Sequence, residues 1–211
     1  MAFAVANPAA STRTRLSAPE RRRDVVTAVV ELARESSPEG ITTQAIAERV
    51  GVTHGALFRH FPDKQAIWAA VFDWIEEEMG NFVGGAFAAG GKPLEILERV
   101  FLDHVRFVAG HPGVPRIVFH ELQGPAGSVL RDRAGRMVRA YRGRIGSLLA
   151  DAKRGRQLPA SLDEEMAALL FVGAVQGLAV QSSLLRGEAG MNAAARRLFP
   201  LLLDGFRGRP R

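Results

Sequence analysis

The stretch ITTQAIAERVGVTHGALFRHFPDK, residues 41–64, decides the fold. Thr42 stands where an N-cap hydroxyl is wanted, and Ile46, Ala47 and Val50 fall on one side of a short helix that Gly51 ends. Thr53 caps a second helix running to about Phe61, with Leu57 and Phe61 pointing inward. Ala47, four residues before the glycine, is small where the two helices cross. Leu57, six after it, is apolar and locks their angle. Two short helices meeting at a glycine turn make a helix-turn-helix.

Outward from this unit the pattern stays helical. Val25, Val26, Val29, Leu32 and Ala33 form one apolar stripe, so a helix is expected from Arg21 until Pro38 and Gly40 close it. Pro62 and Asp63 restart the chain into a helix over 64–82, apolar at Ile67, Trp68, Val71, Phe72, Ile75 and Met79. Gly80, Gly84, Gly85, Gly90 and Gly91 read as a soft link before Pro93 opens a helix to Gly110. A short apolar helix, opened by Pro112 or Pro115, ends at Gln123, and a long one follows over 128–154. Ser161 with Glu164 reads as a capping box opening a helix to Arg186, and Asn192 opens the last, to Phe206. No segment has the strict alternation of a strand, so the fold class is all-α with about nine helices. The expected organisation is a basic flexible arm (1–18), a helix-turn-helix domain (19–65), a helical body (66–206) and a basic tail (207–211).

With 47% hydrophobic and 24% charged residues, the 211-residue chain can bury a sizeable core. The absence of cysteine excludes disulfides, thiolate metal sites and cysteine catalysis. No cationic segment with a long apolar run opens the sequence, and the longest apolar stretch, 167–180, is too short to span a membrane. A cytoplasmic protein without membrane contact is expected. Net charge is +6, concentrated in two zones. Residues 13–23 carry five arginines against Glu20, and residues 128–156 carry nine basic side chains against Asp132 and Asp151. Such zones favour polyanionic partners.

Catalytic motifs fail on inspection, and neither a catalytic residue nor a cofactor is expected. His120-Glu121-Leu122-Gln123-Gly124 is half of an HExxH zinc site, with Gly124 where the second ligand belongs, so no metal is expected either. The glycines before Lys92 miss the phosphate-loop spacing, and Pro93 stands where a hydroxyl is required. No G-x-S-x-G elbow is present.

Residues 41–64, in one register, closely resemble the DNA-binding domain of TetR-type (TetR/AcrR) transcriptional regulators. Gly173-Ala174-Val175-Gln176-Gly177-Leu178 is also similar to that family's penultimate helix. The resemblance implies that the second helix of the motif enters the major groove and that a homodimer reads a palindromic operator on double-stranded DNA. Thr42, Thr43 and Lys64, at helix N-termini, are then expected to meet phosphates. Base reading falls to Gln44, His54, Gly55, Ala56 and Arg59, with Thr53 beside them: Gln44 suits adenine, and Arg59 suits guanine or a phosphate. Phe58 replaces the family's more common tyrosine and loses a phosphate hydrogen bond. Thr42 and Thr53 also fit a plain capping role, and His60, counted with the DNA-facing set, also fits packing beside Phe61. Arg13, Arg15 and Arg21 to Arg23 suit either a minor-groove arm or a solvated tail, and Arg207-Gly208-Arg209-Pro210-Arg211 resembles an AT-hook core.

For the body, the resemblance implies an effector pocket, for which Phe101, His104, Phe119, Gln123, Met137, Tyr141 and Gln176 are the candidates. Each also fits a core position. The helix carrying Leu169, Leu170, Phe171 and Val172 is apolar nearly all round, and the last helix is similarly rich in leucine. A second copy is the simplest cover, with Gly173, Gly177, Leu184, Leu198 and Leu202 as contacts. The expected function is a ligand-responsive repressor released by a small lipophilic effector. The alternatives are an activator and a constitutive DNA-binding or nucleoid-organising protein.

Overall fold

The computed structural model describes residues 17–182, 184–185 and 187–208. Among them the regular structure is helical throughout: α1 (Ala18–Glu35), a 3-10 turn (Pro38–Gly40), α2 (Thr43–Val50), α3 (His54–Leu57), α4 (Lys64–Ala88), α5 (Pro93–Gly110), α6 (Gly113–Leu122), α7 (Val129–Arg154), α8 (Glu164–Val180) and α9 (Gly187–Arg207). No described helix is long and apolar enough to cross a membrane. Arg13, Arg15 and residues 209–211 lie outside the described residues.

Several boundaries move from their expected places, each for a local reason. α1 begins three residues before Arg21, because Ser17 and Glu20 form a reciprocal capping box in which the Ser17 amide donates to the Glu20 carboxylate at 2.8 Å. Arg21 to Arg23 therefore sit on a helix and not on an arm. α3 is one turn long; beyond it the Arg59 and His60 amides donate to the carbonyls of Ala56 and Leu57, a tighter winding that reaches Phe61. α4 runs straight through Gly80, Gly84 and Gly85, since continuing it buries Val83 and Ala86. Gly90 and Gly91, at φ +67° and +109°, end the segment instead. Asp163, not Ser161, caps α8, accepting from the Glu165 and Met166 amides. That helix stops at Val180, and α9 starts before Asn192.

Two hydrophobic cores result, and the expected division at residue 65 runs through neither gap nor linker. The head core gathers Val26 and Val29 of α1, Ile46 of α2, Leu57, Phe61, and Ile67 to Ile75 of α4, but also Val114 and Ile117 of α6 and Ala134 of α7. The body core centres on Phe101, Ile145, Phe171 and Phe199, and takes Val83 and Ala86 from the far half of α4. α4 thus belongs to both. α6 meets α1 so closely that a Cβ built on Gly113 lies 2.0 Å from the Val30 carbonyl oxygen. Arg116, one turn on, donates to the carbonyl of Arg34 at 2.9 Å and to that of Ala33 at 3.4 Å, satisfying α1's last acceptors. From α7, Arg133 clasps Asp73 at 2.6 Å and Glu76 at 2.8 Å and donates to the Ala69 carbonyl at 3.0 Å, which fixes α7 to α4.

Candidate functional site

In the head, Gly51 takes the left-handed conformation (φ +74°) that lets α2 stop and the chain turn into α3. Three caps follow one pattern: Thr42, Thr53 and Asp63 accept from the amides of Ala45, Ala56 and Ala66 at 3.1, 3.2 and 2.7 Å. The first amides of each helix stay outside the intrahelical ladder. Thr43 Oγ1 lies 2.8 Å from His54 Nε2, which pins the starts of α2 and α3 together. The His54 ring meets Phe58 edge-on at 4.9 Å, so Phe58 works as a packing partner. Gln44 donates to Glu48 at 2.7 Å, holding its amide along the outer face of α2. Gln44, His54, Gly55, Phe58 and Arg59 are exposed, and nothing lies within 4 Å of a Cβ built on Gly55. The remainder of the expected set, Thr43, Ala56, His60 and Lys64, is half-buried, whereas Thr42 and Thr53 are exposed. The result is a surface of amide, imidazole and guanidinium groups around an approachable backbone, which is chemistry suited to base edges and phosphates.

Two arginines brace this surface in a role the sequence did not single out. Arg22 donates to the His60 carbonyl at 2.9 Å while its guanidinium lies 4.4 Å from the Phe61 ring centre. Arg49 reaches back to Glu35 at 2.6 Å and Glu31 at 3.4 Å, which raises its own pKa and lowers that of Glu35 through their hydrogen bond. Both tie α1 to the motif. Their signal in the sequence was only a basic residue on an otherwise polar face, which does not point to a tertiary partner.

The body holds an apolar cavity of about 70 Å³, open on one side. Its wall is built by Ile75 and Met79 of α4, His104, Phe107 and Val108 of α5, Val114, Pro115, Val118 and Phe119 of α6, Met137, Val138 and Tyr141 of α7, and Val172, Val175, Gln176 and Ala179 of α8. Five of the seven expected residues are here: His104, Phe119, Met137, Tyr141 and Gln176. Phe101 is elsewhere, packed between Phe171 at 5.3 Å and Phe199 at 5.4 Å. Gln123 is the exposed C-cap of α6, its amide turned onto the carbonyls of Phe119 and His120. The cavity's polar centre is His104 Nδ1, 3.0 Å from the Tyr141 hydroxyl, with Phe82 stacked on the imidazole at 5.5 Å. Burial lowers the His104 pKa to about 4 and raises that of Tyr141, so at neutral pH the pair is uncharged. Apart from Gln176, the remaining wall is apolar, which suits a lipophilic guest.

The outer face of α8 and α9 is bare. Met166, Leu169, Leu170, Val180 and Leu201 are exposed large apolar residues, and nothing lies within 4 Å of a Cβ built on Gly173 or Gly177. Leu184 is 78% exposed. Leu198 is half-buried, and Leu202 is turned into its own body core. On α9, Ala195, Phe199, Leu202 and Phe206 share the inward stripe, and Leu201 therefore faces out in place of Leu202.

Residues 25–71 match the family model described as bacterial regulatory proteins, tetR family. The nucleoid occlusion factor SlmA of Vibrio cholerae is 27% identical over 160 residues, which is 74% of this chain and 81% of that protein. Its counterpart from Aliivibrio fischeri is 27% identical over 162 residues, 75% of this chain and 82% of the relative. Among solved structures, the fatty acid degradation regulator FadR from Bacillus halodurans shares the fold with a TM-score of 0.74 at 20% identity, covering 90% of this chain and 97% of that one. FadR from Bacillus subtilis in complex with stearoyl-CoA superposes with a TM-score of 0.70 at 19% identity, over 87% of this chain and 98% of that one.

Proposed function

We propose that this chain, a DNA-binding regulator of the TetR type, holds a palindromic operator as a homodimer and releases it when a small lipophilic effector enters the body. One observation carries the reading: Ile75 and Val114 line the cavity and are also members of the head core. A guest that pushes on either moves the side chains against which α1 and the helix-turn-helix are packed. The cavity is far smaller than the roughly 300–1,000 Å³ of an ordinary ligand pocket, so occupation requires its walls to part. Packed cores switch between arrangements more readily than they stretch, and a parted cavity therefore shifts the head. The bare α8 and α9 face supplies the surface for a second copy, and Arg59 with Gln44 supplies the base reading. The stearoyl-CoA complex of the Bacillus subtilis neighbour supports a long-chain guest in this fold.

The test is genome-wide mapping of bound sites with the full chain, followed by operator titrations against a panel of lipophilic compounds. Recovered sites should be palindromes. An effector should weaken operator affinity roughly 5- to 150-fold, and operator should weaken effector affinity by the same factor. Arg59→Ala should relax base preference, whereas Lys64→Ala should weaken all sequences and flatten the salt dependence by about one unit. The SlmA relatives favour a second reading, a DNA-bound factor that acts on nucleoid organisation without an effector. Many dispersed binding sites and no response to any lipophile would select it.

A further inference from the structure

Beside the cavity lies a second, larger groove of about 570 Å³. The two share Pro115, Phe119 and Ala179, so the Phe119 ring and its neighbours form the partition between them. Their chemistries differ. The cavity holds only a neutral histidine-tyrosine pair and Gln176 among apolar walls. The groove carries Arg34 from the last turn of α1 and Arg116 from the first turn of α6, with Glu188 of α9 as the opposing acid. α6 also begins here, with Pro112 and Pro115 in the rim, and its amide end adds partial positive charge.

We propose that the groove takes the anionic head group of an amphipathic effector, a carboxylate or phosphate on an aliphatic tail, and that Arg116 is shared between that head group and the end of α1. This rests on the sensor reading above and names the chemistry of its effector. The tail passes Phe119 into the cavity, which on its own is too small to hold it. The head group sits between Arg34 and Arg116. Arg116 already donates to the Ala33 and Arg34 carbonyls, and an anion competes with those acceptors for the same guanidinium. An anion at that place also faces the negative end of the α1 dipole, so binding it and keeping α1 capped oppose each other. α1 packs directly on the helix-turn-helix, and loss of its cap is transmitted to the reading surface. Arg116 acts here as a positioning residue: it converts head-group binding into movement of α1.

The experiment uses the full chain with decanoate, decyl phosphate and decan-1-ol below their aggregation limits. Calorimetry reads binding, and fluorescence anisotropy of a recovered operator reads release. The wild type should bind one or both anions roughly tenfold or more tightly than the alcohol, with the preference falling as salt rises. Decanoate preferred alone assigns a carboxylate, and decyl phosphate preferred alone a phosphate. Arg34→Gln and Arg116→Gln should each pull the anion-to-alcohol ratio toward one, and in Arg116→Gln the operator affinity should stop responding to the anions. If Arg116→Gln fails to give a cooperative melt, Arg34→Gln and the salt dependence decide. Equal affinity for anions and alcohol, or a preference that survives both substitutions, overturns the proposal and leaves the sensor reading standing. Arg136 and Arg144 of α7 line a separate pocket beside Glu76 and Met79, and removal of the preference by Arg136→Gln with Arg144→Gln instead overturns the proposal in the same way. No binding by any of the three probes, with no release by any lipophile, overturns both.

Discussion

Gly113→Ala tests whether the crossing of α6 over α1 is the joint between body and head. The added methyl would lie 2.0 Å from the Val30 carbonyl oxygen and 3.1 Å from the Arg34 amide nitrogen. Both are backbone atoms, and no rotamer change relieves them. α1 and α6 must therefore part by more than about 1 Å at this point before an ordinary contact distance is restored. The separation also loosens Val114 and Ile117 against Val26 and Val29, and stretches the Arg116 hydrogen bonds. Overpacking of this kind costs about 1–3 kcal/mol, against which alanine returns up to about 1 kcal/mol of helix propensity. A net loss of about 1–2 kcal/mol corresponds to a Tm lower by about 2–8 °C for a chain of this size. Operator affinity should fall with it, because the head is displaced, while Gly173→Ala, which meets nothing within 4 Å, should leave the melt of the monomeric fold alone. Calorimetric melts and operator titrations of the two variants form the assay. A Gly113→Ala protein with wild-type Tm and wild-type operator affinity would refute the joint.

Arg22→Ala removes a hydrogen bond and a cation-π contact behind Phe61; it should cost about 1–2 kcal/mol and weaken operator binding without changing base preference, as read by melts and competition titrations. His104 has a folded pKa of about 4, below the ordinary value of 6.5, so the unfolded chain binds the proton first as pH falls. Its contribution is whole above about pH 6.5 and is lost progressively toward pH 4. About 3 kcal/mol is its ceiling, reduced because the residue as a whole is only half-buried, and His104→Asn should flatten that part of a Tm-against-pH curve. Leu170→Asp with Leu201→Asp places charges on the bare outer face and should weaken self-association roughly a hundredfold or more with little change in the fold of each copy, measured by sedimentation.

The helix-turn-helix was legible from its sequence because each of its signals is local: a capping threonine, a left-handed glycine and an apolar stripe. Helix ends were read less well where two signals compete. Gly80, Gly84 and Gly85 argue for a break, yet Val83 and Ala86 gain a core by staying helical, and burial wins. Ser161 and Asp163 both offer a cap to the same helix, and only the backbone path decides between them. In the cavity, His104, Phe119, Met137, Tyr141 and Gln176 are legible in the sequence, but Phe107, Val114, Val118 and Ala179 are not, since nothing in an apolar helix tells which side faces an empty space. Phe101 shows the converse: an aromatic suited to a pocket wall that packs between two other rings. The tertiary roles of Arg22 and Arg116 depend on elements 38 and 82 residues away, beyond the reach of any periodicity.

The sharing of α4 between two cores bears on how this molecule can be cut or recombined. A fragment ending near residue 65 would lack Val71, Phe72 and Ile75, and with them the cover given by Val114 and Ile117, leaving half of its interior wet. Grafting this reading head onto another sensor thus demands transplanting α6's inner stripe as well, and a chimera joined within the loop before Lys64 should misfold where one joined beyond Ile75, with matching residues at 114 and 117, assembles.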